Sequence, residues 1–332
     1  MPAGLLSRLS IYVEERILAE IERRERRNEE LEVQARKDGV ARPANPGTKT
    51  RQRPELVTFI RRRIGYHPIS IRSIYTQVPR AGGRIPNHVY QTWKRPVLPF
   101  LLALEVKRFR RRNPEYSFSF FDDQQIADYM EKNYAGHPIL DVFRRVRPPV
   151  VKADIWRYCV LYREGGIYCD IKSAMMVPLR EVIREDYSEL ISFETHQWKD
   201  LLVPGAYADK DVFLPAPPES IRANLECPDN TILNWFLCFE KGSPILEELI
   251  NLIVRHADFY RNRVFESVSM AGNHLTGVIA ITEAVWMWMQ KTGKRPNQCG
   301  MNYYGRGRWL LRAMSYKESP HHTTMRNLPI LD

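Results

Sequence analysis

Lys152-Ala-Asp-Ile-Trp-Arg-Tyr-Cys-Val-Leu-Tyr-Arg-Glu-Gly-Gly-Ile-Tyr-Cys-Asp-Ile-Lys172 compresses a helix, a turn and a strand into one run. Ile155, Cys159, Val160 and Tyr162 recur at helical spacing, which predicts a helix over 152–164. Gly165-Gly166 ends it, and Ile167-Tyr-Cys-Asp170-Ile171 predicts a short buried strand. An aspartate that follows an apolar strand after a double-glycine turn presents its carboxylate to a cleft. Asp154 and Arg157 lie three residues apart, on one face of the preceding helix. Two acids and a guanidinium near one strand end suit a ligand that carries hydroxyls and phosphates. Carboxylates accept from sugar hydroxyls, and arginine offers forked donors to phosphate.

The same grammar extends outward. His88-Val-Tyr-Gln-Thr-Trp93 reads as a strand entering a loop, and Pro99 to Arg112 as a helix that stops before Asn113-Pro114. Tyr116-Ser-Phe-Ser-Phe-Phe121 alternates like a strand, and Asp122-Asp123 supplies a cap for the helix after it. Alternating strands and helices imply an α/β sheet covered by helices, with ligands beyond the carboxyl ends of its strands.

Upstream the character changes. Leu6, Leu9, Val13, Ile17 and Ile21 form an apolar stripe, which fades into Glu22-Arg-Arg-Glu-Arg-Arg-Asn-Glu-Glu30 and stops near Asp38-Gly39. An amphipathic, charged helix is therefore expected over 1–40 and a basic linker region over 41–83. A single α/β domain is expected over 84–332. Residues 42–63 carry seven basic side chains against one acid, and Lys107, Arg108, Arg110, Arg111 and Arg112 form a second cluster. Such clusters are either solvated faces or surfaces that attract anionic lipid or a phosphorylated acceptor.

Composition narrows the class. The 332 residues are 44% hydrophobic, enough for a large core, and the net charge of +11 excludes an acidic protein. Five cysteines without a Cys-x2-Cys pair exclude a disulfide scaffold and a zinc knuckle, and imply a reducing compartment. No stretch approaches the ~20 apolar residues of a membrane span, and the start lacks the blocks of a signal peptide. The expected location is cytoplasmic, with peripheral contact on the inner face of the membrane. No nucleic-acid-reading motif is present, so nucleic acid is not an expected partner.

These motifs resemble glycosyltransferase family 32, the sugar transferases with a DXD motif that include initiating mannosyltransferases and capsule-type relatives. Ile85-Pro-Asn-His-Val-Tyr-Gln-Thr-Trp-Lys94, Asn113-Pro-Glu-Tyr116 and Asp122-Asp123 are similar to its opening, and 152–172 to its central block. Leu233-Asn-Trp-Phe-Leu-Cys-Phe-Glu-Lys-Gly-Ser-Pro-Ile-Leu246 is similar to the next block. Thr276-Gly277 resembles a Thr-Gly-Pro block in which Val278 replaces the proline. The resemblance runs from about residue 84 to 325. It implies a GT-A type, Rossmann-like fold with a mixed, mostly parallel sheet, and a donor site made of Trp93, Asp154, Arg157, Gly165, Gly166, Tyr168 and Asp170. Trp93 would stack the donor's base, while Asp154 and Arg157 would touch its ribose and hexose.

One position departs from the pattern. The family's block normally closes Gly-Gly-x-Tyr-x-Asp-x-Asp, and here its last acid is Lys172. In the family that second carboxylate binds the Mn2+ or Mg2+ that bridges the diphosphate and neutralises charge on the leaving group. Three readings stay open. Asp170 holds a metal with outside ligands, of which His321 or His322 in the tail are the best candidates. Lys172 supplies the positive charge itself, which makes Asp170 and Lys172 the catalytic pair. In the third reading catalysis is lost.

The resemblance implies a retaining hexosyltransferase that takes a UDP- or GDP-sugar and glycosylates a hydroxyl of a surface glycan or lipid-linked acceptor. Glu194 and Glu283 are candidates for the acceptor side. The alternative from another class is a catalytically impaired, transferase-like protein that binds anionic membrane or glycan through its basic segments.

Overall fold

The computed structural model describes residues 69–70, 83–98, 100–197, 217–309 and 327–332, all within the compact unit Pro68–Asp332. The expected helix over 1–40, most of the basic linker over 41–83 and the tail histidines His321 and His322 lie outside the described residues.

Strands β1 (Ile69–Ser70), β2 (His88–Thr92) and β3 (Val97–Leu98) come first, β1 pairing with β3. Helix α1 (Phe100–Arg112), strand β4 (Ser117–Phe121) and helix α2 (Asp123–Asn133) follow. Then come α3 (Pro138–Arg145), α4 (Pro149–Glu164), β5 (Gly166–Cys169), β6 (Ser173–Met175) and β7 (Glu189–Gln197). The chain continues through α5 (Glu219–Arg222), β8 (Asn230–Ile232), β9 (Phe236–Phe239), α6 (Pro244–Tyr260) and β10 (Val264–Phe265). It closes with α7 (Val268–Leu275), α8 (Val278–Thr292), β11 (Gln298–Met301), β12 (Gly307–Trp309) and β13 (Leu328–Pro329).

The main sheet runs β11-β7-β9-β5-β2-β4, with β8 also paired to β7. Strand β2 is parallel to β4 and β5, and β11 is parallel to β7, whereas β9 is antiparallel to both its neighbours. All strands on that path except β9 therefore point the same way, the mixed, mostly parallel α/β sheet that a GT-A type domain requires. Alternate side chains feed two cores. Tyr90, Tyr168, Leu237 and Phe239 pack with Met130, Phe143, Trp156, Leu249, Leu275 and Val285 of the helices on one face. Val89, Ile167, Cys169, Phe236 and Cys238 pack with Leu102, Val106 and Phe109 of α1 on the other.

The sequence expectations for β2, α1 and β4 hold to within a residue or two. Asp122 caps α2, accepting from the Gln125 amide at 2.9 Å while the Gln125 side chain returns to the Asp122 amide at 3.1 Å. Helix α4 starts three residues earlier than the periodicity suggests. Pro149 sits in its first turn, where a missing N–H costs nothing. Strand β5 is shorter than expected because the chain turns at Asp170, whose carbonyl accepts from both the amide and the hydroxyl of Ser173 at 2.8 Å.

The second basic cluster is not a uniform solvated face. Arg110 is buried with its guanidinium 4.7 Å from the Phe118 ring centroid, and Arg112 Nη1 donates to the carbonyls of Met175 and Met176 at 3.1 and 2.8 Å. These two cations are spent on packing α1 against the sheet. Among the described residues no helix is long and apolar enough to cross a membrane.

The double-glycine turn is a steric requirement. Gly165 and Gly166 have φ of +69° and +108°, and a Cβ on Gly166 would stand 2.7 Å from the His88 carbonyl oxygen. Gly166→Ala is expected to lose about 3 kcal/mol of stability in urea unfolding. Gly242 has a less extreme φ of +71° and nothing within 4 Å of an added methyl, so Gly242→Ala should lose only about 1 kcal/mol. Equal losses would show that the close approach to β2 adds nothing to the requirement for glycine at this turn.

Candidate functional site

The tight turn makes α4 and β5 antiparallel neighbours. Eleven residues of helix separate Asp154 from Gly165, and five of extended chain separate Gly165 from Asp170. Both paths cover about 16 Å, at 1.5 Å and 3.3 Å per residue. The spacing thus returns Asp154 and Arg157 to the level of Asp170. Strand β9 contributes from the same end, because Asn234 and Trp235 immediately precede it and the Asp170 amide donates to the Trp235 carbonyl at 2.9 Å.

Arg157 is the hub. Its Nη2 lies 2.8 Å from Asp154 Oδ1 and 3.7 Å from Asp170 Oδ1, and its Nη1 donates to the Asn234 carbonyl at 2.7 Å. The guanidinium carbon stands 4.3 Å from the Tyr168 ring centroid. Tyr168 is fully buried, and its hydroxyl donates to Asp170 Oδ1. Asp154 takes a second bond from the Thr276 hydroxyl at 3.0 Å on Oδ2. Thr276 is held in turn by its amide bond to Gly272 and by the Tyr158 hydroxyl, which donates to the Thr276 carbonyl at 2.6 Å. The Asp154–Arg157 side chains are 10% and 5% exposed, so this pair belongs to the interior. The Asp170 side chain is 24% exposed and faces outward from it.

Burial pushes the Asp154 carboxyl up to about 6, against the opposing pull of Arg157 and the Thr276 hydroxyl. Burial likewise drives the Tyr168 phenol well above its ordinary range. The phenol therefore stays protonated and remains a donor to Asp170.

A second group stands at the carboxyl end of β2. Trp93 follows that strand directly, and the register Tyr90↔Tyr168 places it beyond the same sheet end as Asp170. Lys172 Nζ lies 4.8 Å from the Trp93 ring centroid, and Lys94 Nζ lies 5.9 Å from it. The region beyond the carboxyl ends of β2 and β5, where an α/β sheet has its crevice, thus carries two groups of sequence-expected residues: Asp154, Arg157, Tyr168 and Asp170 after β5 and its helix, and Trp93 with Lys172. Gly165 and Gly166 lie at the opposite end of β5, so they form the turn that sets the register and do not touch the crevice.

Glu194, on β7, is raised by burial, lowered by His196, whose Nδ1 is 3.3 Å away, and raised again by the charge of Asp170. Leu190 and Ile167 both pair with Cys238, so Glu194 reaches the same carboxyl end of the sheet as Asp170, two strands away. Glu283 lies on α8, pushed up to about 7 by burial, with Arg255 and Glu248 of α6 as its charged neighbours. Its charged surroundings are those of the helical layer. Sequence reading missed the Asn234 carbonyl and the Thr276 hydroxyl as parts of the site. Both lie in stretches that resemble family blocks, but nothing local in them signals a partner 77 or 122 residues away.

The family motif implies a divalent ion, and the described residues of the donor set do not by themselves fit one. Asp170 is the motif's remaining carboxylate, and one of its oxygens already accepts from Tyr168. The second ligand position is the ammonium of Lys172, which repels a cation. Among the described residues no group of three or more His, Cys, Asp or Glu side chains is arranged to hold a metal.

Residues 99–189 match the model described as "Glycosyltransferase sugar-binding region containing DXD motif". This segment is a family 32-like glycosyltransferase region. It contains every crevice residue named above except Trp93, Lys94, Glu194, Asn234 and Thr276. The chain is 28% identical over 177 residues to an initiation-specific alpha-1,6-mannosyltransferase of Candida albicans, covering 50% of this chain and 41% of that protein. It is 29% identical over 107 residues to inositol phosphoceramide mannosyltransferase 1 of Schizosaccharomyces pombe, covering 31% of this chain and 33% of that one. The chain thus spans less than half the length of these relatives. Among solved structures, the PaToxG glycosyltransferase superposes with a TM-score of 0.40 at 14% identity, over 71% of this chain and 78% of that one.

The raised carboxyl gives a pH test. Because its folded value of about 6 exceeds the ordinary 3.8, Asp154 contributes stability that is complete below about pH 4 and lost as pH rises through 6. The stability of the wild type minus that of Asp154→Asn should fall by roughly 3 kcal/mol between pH 4 and 7. A difference that stays flat in urea titrations across this range would contradict the burial assigned to this carboxyl.

Proposed function

We propose that this chain is a retaining hexosyltransferase that moves a sugar from a nucleotide-sugar donor to a hydroxyl of a glycan or lipid-linked acceptor. The observation that supports it most is the outward-facing Asp170 carboxylate, backed by the buried Arg157–Asp154 pair at the same sheet end as Trp93. In this reading the donor's base lies on Trp93 and its hydroxyls donate to Asp170. The Asp154–Arg157 pair is too deeply buried to touch the ribose and hexose as expected and acts from behind Asp170, fixing the field at its carboxylate, and Asp154 also keeps the guanidinium from rotating.

Transfer breaks the bond between the anomeric carbon and the diphosphate oxygen and forms one to the acceptor oxygen, whose proton leaves with the diphosphate. The reaction then rests on two things: neutralising the departing diphosphate, and holding the acceptor hydroxyl at the anomeric carbon. Glu194, on β7 at the sheet end of Asp170, is suited to receive the acceptor. Since the relatives compared above are named as mannosyltransferases, mannose is the first hexose to test.

The alternative, an inactive protein that binds anionic surfaces, draws less support. Arg110 and Arg112 of the second basic cluster are engaged with Phe118 and with backbone carbonyls. The experiment is nucleoside diphosphate release from a panel of UDP- and GDP-hexoses. Asp170→Asn should lower the rate about 100-fold or more, with an unchanged melting temperature. A variant that releases nucleotide at the wild-type rate removes Asp170 from the donor site.

A further inference from the structure

The crevice contains two positive charges that the family's motif does not lead one to expect together with a cation. Lys172 occupies the second acid's place, and its ammonium is held against the Trp93 ring at 4.8 Å. The Lys94 ammonium approaches the same ring at 5.9 Å. Two carboxylates that hold a divalent ion are together neutral. One carboxylate and one ammonium, Asp170 and Lys172, are neutral as well. The pair therefore presents an arriving diphosphate with the net charge of a loaded metal site, and adding a divalent ion would place like charges side by side.

Trp93 gives this lysine a position. An ammonium on a four-carbon stem ordinarily samples many rotamers, and the negative face of an indole restricts it to the crevice mouth. On the reading that the donor's base stacks on Trp93, the diphosphate joined to that nucleoside must lie within reach of the same ammonium. We infer that Lys172 takes the place of the metal: it binds the diphosphate of the donor directly, and this site uses no divalent cation for its leaving group. The inference rests on the donor-site reading above, and it specifies how that site meets its anion.

The test is calorimetric binding of UDP, GDP, UMP and GMP to the full chain, in EDTA and in Mn2+. The wild type should bind the fitting diphosphate equally well in both, and the matching monophosphate about tenfold more weakly, for the loss of charge-assisted contacts. Lys172→Ala should reduce the diphosphate to the monophosphate's affinity and leave the monophosphate unchanged, while Lys172→Arg, which keeps the charge, should retain the preference. Lys172→Asp, which restores the acid of the family motif, should bind diphosphate only when Mn2+ is present. If the wild type binds none of the four nucleotides in either condition, the donor-site reading itself fails. If chelator abolishes wild-type diphosphate binding, Mn2+ restores it and Lys172→Ala behaves like wild type, the donor site stands and the role of Lys172 is overturned.

Discussion

A guanidinium sealed in a protein interior must find a counter-charge and acceptors for its donors, or the fold loses several kcal/mol. Arg157 meets most of that demand with the Asp154 carboxylate, the Asn234 carbonyl and the face of Tyr168, while its buried Nε is left without an acceptor. Each partner comes from a different part of the chain: helix α4 itself, the approach to β9, and strand β5. The cation therefore ties a helix to two strands at the one end of the sheet where the crevice opens. Thr276, from the junction of α7 and α8, extends the tie through Asp154.

That tie explains why the outermost group is an effective presenter of charge. Asp170 sits on a turn closed by Ser173, with its amide on the Trp235 carbonyl and its carboxylate on the Tyr168 hydroxyl. The backbone position is held by hydrogen bonds, and the field around it by Arg157. A carboxylate so restrained can accept from a ligand hydroxyl without first losing much freedom of its own. Preorganisation of this kind is what a glycosyl-transfer site needs, because little covalent chemistry falls to the protein beyond positioning and electrostatics.

The run from 152 to 170 resembles the family's central block, yet the chain departs from that pattern at position 172. Replacing an acid by Lys172 alters the local charge by two units without changing the backbone that carries it. The ring of Trp93 accommodates the ammonium in a way no carboxylate would be accommodated, since the indole face is itself negative. The departure and the aromatic beside it make one self-consistent local arrangement.

Much of the fold was legible in the residues alone. Helical spacing from Ile155 to Tyr162, the double glycine, and the alternation of 116–121 each report local backbone geometry, which depends on near neighbours. The pairing of Asp154 with Arg157 was legible too, because residues three apart on a helix must share a face. Local pattern could not reveal that this pair is buried, that Arg110 and Arg112 serve packing instead of solvent, or that Glu194 shares the sheet end of Asp170 while Glu283 lies in the helical layer. Burial and approach across 77 or 122 residues are set by which faces of the sheet the helices cover. The same holds for the contact of Lys172 with Trp93. Composition and spacing determined the elements and the chemistry they carry, while strand order alone decided which of those groups stand together, because register between distant strands is a long-range property that no single segment encodes.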